Sequence, residues 1–88
     1  MRRARVRITG LVQGVYFRAE TRERAASLGV AGWVRNAPDG AVEAVFEGDD
    51  DRVESLISWC RHGPAGARVD GISVEVETPQ GETGFRVA

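Results

Sequence analysis

The chain has 88 residues, 42% of them hydrophobic and 28% charged, with a formal net charge of −1. That length suits a single domain over residues 1–88, which buries roughly 60–65% of its unfolded surface and holds a core without staples. A near-neutral charge speaks against a protein that neutralises nucleic-acid phosphates, and Cys60 and His62, the only residues of their kinds, allow neither an internal disulfide nor a four-ligand structural metal site.

The opening "MRRARVRITG" is basic, but Arg5 and Arg7 interrupt any apolar stretch, so no signal peptide is expected. No apolar run reaches the length of a membrane span. A reducing, cytoplasmic setting fits the lone cysteine. Every basic residue is arginine, which excludes a phosphate loop of the Gly-Lys-Ser/Thr type.

Residues 4–10, "ARVRITG", alternate Ala4, Val6 and Ile8 with Arg5, Arg7 and Thr9, the pattern of a half-buried strand. Residues 19–28 follow as a helix. Phe17, Thr21, Ala25 and Leu28 fall on one face, and Gly29 is the stop. Residues 30–36, "VAGWVRN", form a second strand closed by Asn36. "APDG" at 37–40 is a turn, because Pro38 fixes φ and Gly40 accepts a positive one. Residues 41–48, "AVEAVFEG", alternate again and form a hairpin with the second strand. Three acids, Asp49 to Asp51, open a second helix at its positive end. Val53, Leu56, Ile57 and Cys60 form its apolar stripe. Residues 67–77 read as a fourth strand with Ile72, Val74 and Val76 on one face, and 85–88 as a short additional strand.

The order β-α-β-β-α-β, with a short fifth strand, predicts an α+β, ferredoxin-like sandwich: an antiparallel-type sheet with both helices on one face. In that topology the third strand separates the first two. The C-terminal ends of strands one and two then share an edge, roughly 10 Å apart. From the end of the first strand into its helix runs "GLVQGVYFRAETRERA", residues 10–25. Gly14 permits a tight turn, so successive N–H groups face inward at a helix N-terminus and cradle an anion. Arg18 adds a guanidinium suited to two phosphoryl oxygens. Asn36 faces the same edge with an amide. Arg22 and Arg24 read as helix-surface charges, and Arg35 as pointing to the opposite face. Tyr16 reads as mouth or surface, Phe17 and Trp33 as packing, Trp59 as half-exposed and Cys60 as a buried thiol.

"ITGLVQGVYFR" (8–18) and "GWVRNAPDGAVEAVFEG" (32–48) resemble the two signatures of the acylphosphatase family. Two long motifs at the correct separation carry more weight than a lone glycine pattern. The resemblance implies that backbone amides of Gln13, Gly14, Val15, Tyr16 and Phe17 hold a phosphoryl group with Arg18. It implies that Asn36 positions the attacking water. The reaction would be hydrolysis of a carboxylic–phosphoric anhydride without metal, cofactor or phosphoenzyme. The small-molecule acyl phosphate would be the only partner of a monomer, with no nucleic acid and no membrane.

The residue inventory points the same way. A carboxylate with a conjugate acid near pKa 4 leaves unprotonated, whereas an alkoxide needs a general acid. Residues 15–18 and 33–37 contain no His, Cys, Asp or Glu; Asp39 in the turn is the nearest exception. The alternative is a non-catalytic module that uses the cradle to bind phosphate or a carbamoyl-phosphate-like anion. An RNA-binding sheet of the same order is not expected, because "AVEAVFEG" is acidic and nearly free of aromatics.

Overall fold

The computed structural model describes residues 1–88. Its elements are β1 (Arg2–Leu11), α1 (Phe17–Leu28), β2 (Ala31–Asn36), β3 (Val42–Gly48), α2 (Asp50–Cys60), β4 (Arg68–Glu77) and β5 (Phe85–Val87). The strands lie in the order β4-β1-β3-β2-β5. β1 pairs antiparallel with β3 and β4, and β2 antiparallel with β3, but β5 runs parallel to β2. The expected α+β sandwich is present, and the fifth strand makes its sheet mixed rather than wholly antiparallel.

Strand alternation sorts the residues between two faces. Ala4, Val6 and Ile8 of β1, Val34 of β2, and Val42, Ala44 and Phe46 of β3 are buried beneath the helices. α1 contributes Phe17, Thr21 and Ala25 to this core, and α2 contributes Val53, Leu56, Ile57 and Cys60. These are the faces that 3.6-residue periodicity marks. Each large side chain buried here contributes about 1.5–3 kcal/mol relative to exposure. Val76 departs from the expected stripe: it belongs to the edge strand and is 80% exposed, because the helices do not reach across that end of β4.

The other sheet face has no helical cover, and charge fills it. Arg7 bonds Glu43 and Asp39, Arg35 bonds Glu43, and Arg5 bonds Glu77. Trp33 lies between the guanidinium groups of Arg5 and Arg35 at 5.5 and 5.4 Å, within cation–π range. Arg35 thus points away from the Asn36 side, as alternation requires. At one end of this face Arg3 and Glu47 form a pair with side chains only 5% and 3% exposed. Arg3 also meets Glu77 and Glu82. Glu47 accepts the backbone N–H groups of Gln80 and Glu82, both at 2.8 Å. β4 and β5 occupy opposite edges of the sheet, so the 78–84 connection must cross its width. The buried Arg3–Glu47 pair pins that crossing strap.

Candidate functional site

The site forms at the sheet edge where β1 and β2 end. β1 reaches it through a bulge: its register against β4 shifts between Thr9 and Gly10. Gly10 has φ +125, and a Cβ there would lie 2.2 Å from the Arg68 carbonyl oxygen, so only glycine fits. Beyond the bulge, Val12 is buried. Gln13 Nε2 donates to the carbonyls of Ala37 (2.8 Å) and Ala41 (3.0 Å). That amide staples the loop to the β2–β3 turn. The Val15 side chain packs against the core.

Between these anchors the backbone alternates in hand. Gly14 has φ +75 and Tyr16 φ +65, the only positive value outside glycine, while Val15 and Phe17 keep negative φ. Alternation of this kind turns successive N–H groups toward a common centre, an anion-binding nest. Helix α1 then starts at Phe17, two residues before the expected span of 19–28, and Tyr16 at its N-cap gives no side-chain cap. The backbone N–H groups from Gly14 to Ala19 meet no acceptor within the protein. They unite the nest with the first-turn donors every helix leaves unpaired. A left-handed tyrosine costs on the order of 1–3 kcal/mol. The loop holds that conformation through Val12, Gln13 and the buried ring of Phe17, which packs against Trp59 at 5.4 Å.

A cleft of about 440 Å³ opens over this loop, lined by Val12, Gly14, Tyr16, Phe17, Arg18, Ala19, Arg22, Asn36 and Val87. The structure therefore brings Arg18 and Asn36 together with Gly14, Tyr16 and Phe17. The side chains of Gln13 and Val15 are used elsewhere, as staple and packing. Most arginines in the chain are bonded to carboxylates, but Arg18 is not, and neither is Arg22. Arg22 is not the plain helix-surface charge its sequence suggests: one turn beyond Arg18, it lines the same cleft. Arg24 leaves the site and lies over Trp59 at 4.6 Å. Val87 enters from β5, a contribution sequence reasoning missed because only the parallel β2–β5 pairing brings that strand here.

Asn36 arrives at the end of β2 with its Oδ1 buried and without a hydrogen-bond partner in the protein. A buried acceptor left unmatched costs about 1–3 kcal/mol, and such atoms in native structures call for a reason. The cleft wall holds no carboxyl, imidazole or thiol group. Asp39 is turned away: the Ala41 N–H and the Arg7 guanidinium hold its carboxyl below the usual range. Cys60 is buried behind the helices, and burial pushes its thiol up to about 12 against the opposing pull of Arg24. No three His, Cys, Asp or Glu side chains gather anywhere in a way that could hold a metal ion, and no helix is long and apolar enough to cross a membrane.

The family model described as "Acylphosphatase" matches residues 4–87. The chain is 58% identical over 87 residues to an acylphosphatase of Rubrobacter xylanophilus, covering 98% of this chain and 79% of that protein. It is 60% identical over 85 residues to an acylphosphatase of Gloeobacter violaceus, with coverage of 97% and 91%. Its fold is similar to the crystal structure of acylphosphatase from Bacillus subtilis, with a TM-score of 0.96, 32% identity, and coverage of 100% and 99%.

Proposed function

We propose that this chain, which belongs to the acylphosphatase family, hydrolyses acyl phosphates to a carboxylate and inorganic phosphate without a metal. In this reading the phosphoryl oxygens accept hydrogen bonds from the loop amides around residues 13–18 and from the Arg18 guanidinium. Asn36 Oδ1 accepts an O–H of the attacking water and aims its oxygen at phosphorus. As the new P–O bond forms, the bond to the acyl oxygen breaks and its electron pair leaves with the carboxylate. Carboxylate plus dihydrogen phosphate account for both protons of the water, so no base in the wall is required. The protein supplies position and charge stabilisation.

One observation carries the choice of substrate class: the cleft wall offers donors, two guanidinium groups without carboxylate partners and an amide, but no carboxyl, imidazole or thiol group to protonate a leaving group. Such a wall suits a leaving group that departs unprotonated. The unmatched Oδ1 of Asn36 supports the water-orienting role, since a buried acceptor without a partner in the protein is free to take an O–H of a water. Residues 1–88 are proposed to act as one domain and as a monomer, since every group invoked lies on this chain, and a cytoplasmic setting is proposed from the single free cysteine.

The test is phosphate release from acetyl or benzoyl phosphate in the presence of EDTA. Wild type is expected to turn over. Arg18→Ala is expected to lose a hundredfold or more in kcat/KM, the scale for removing an anion-stabilising donor, and Asn36→Ala to lose mainly kcat. Release no faster than buffer, together with protection by phosphate against thermal unfolding, would instead establish the binding module.

A further inference from the structure

We propose that Arg22 binds a second anionic group on the acyl portion of the substrate, so that the cleft favours acyl phosphates whose chain bears a carboxylate. The inference rests on the proposed reaction and adds a substrate class to it. Arg22 lines the cleft and is free of any carboxylate partner, although acids neutralise most other arginines of the chain. It stands four residues after Arg18 on α1, about 6 Å further along the axis from the helix start where the free N–H groups converge. Like charges at this spacing disfavour a helix, and no acidic side chain lines the cleft to offset them.

A phosphoryl group in the cradle is already met by the amides and Arg18. The cleft, at about 440 Å³, falls in the range that accommodates whole small molecules rather than one phosphoryl group. Val12 and Val87 supply apolar wall for a short carbon spacer. The free charge one turn away then meets an oxyanion at the far end of that spacer, where a planar guanidinium binds two oxygens.

The experiment compares crotonoyl phosphate with fumaroyl phosphate, trans four-carbon substrates that differ in one terminal carboxylate. Arg22→Ala is expected to lower kcat/KM for fumaroyl phosphate tenfold or more and for crotonoyl phosphate less than twofold. Arg22→Lys should recover part of the loss. Arg61→Ala removes another exposed charge, one outside the cleft, and should leave both substrates unchanged. Equal losses on both substrates would assign Arg22 to the phosphoryl group and overturn the inference, as would no loss on either. So would the same discrimination from Arg61→Ala, which would mark a bulk charge effect. If wild type releases phosphate from neither substrate, the reaction itself is wrong and the inference falls with it.

Discussion

Tyr16 adopts a left-handed backbone and is 79% exposed, so it bears backbone strain without burial to offset it. Tyr16→Gly is expected to stabilise the protein by up to about 1 kcal/mol, because glycine takes this conformation freely; Tyr16→Val should destabilise it, and thermal unfolding measures both. Asn36 presents the complementary case. Its Oδ1 has no partner, so Asn36→Ala should leave stability within about 0.5 kcal/mol of wild type, or raise it, since removing an unmatched buried polar atom forfeits no hydrogen bond. A loss of several kcal/mol in denaturant unfolding would contradict that. The two residues differ in how far sequence alone exposes them. Arg18 and Asn36 sit inside motifs whose spacing marks them. Arg22 does not, because an arginine on a helix surface looks the same whether a carboxylate faces it or a cleft does.

The order of strands and helices was legible because each element follows its own period, 2.0 or 3.6, and each boundary has a local marker such as Gly29 or the acids at 49–51. The early start of α1 was not, since it depends on Tyr16 taking a conformation rare for tyrosine. Neither the strap at 78–84 nor the partner of β5 leaves a local trace: the strap is held by Glu47, which is buried against Arg3 on the neighbouring strand, and β5 is placed by a parallel pairing with a strand about fifty residues earlier. The Arg3–Glu47 pair makes the strap sensitive to pH. The N–H groups of Gln80 and Glu82 and the Arg3 guanidinium hold the Glu47 carboxyl below its ordinary value, and bonds from Arg5 and Arg3 do the same for Glu77. A carboxyl depressed in the folded state contributes its stability fully above the unfolded value, about 4.3 for Glu. The contribution is lost as pH falls through the folded value. Melting temperature should therefore be flat near neutrality and decline from about pH 4 downward. Glu47→Gln should melt lower at pH 7 but decline less steeply, so the two curves converge in acid. Gly10→Ala should destabilise without any pH dependence, because its obstacle is a carbonyl oxygen rather than a charge.

Across the whole molecule, the two ends of the sheet are built on opposite terms. One end matches a buried cation to several carboxylates and backbone donors. The other gathers N–H groups, an amide oxygen and two guanidinium groups that the protein leaves without partners. Between them lies an ordinary packed core, in which Leu56→Ala is expected to cost about 2–5 kcal/mol in chemical denaturation. The uncapped start of α1 makes stability a reporter of occupancy. An anion held there would complete a helix that the chain alone leaves open at its N-terminus, so ligand concentration and unfolding free energy are linked. Inorganic phosphate at a hundred times its Kd should raise the free energy of unfolding by about 2.7 kcal/mol, and Arg18→Ala should need far more phosphate for the same gain. A thermal melt with and without phosphate would then measure affinity with no turnover at all, turning a missing cap into a binding assay.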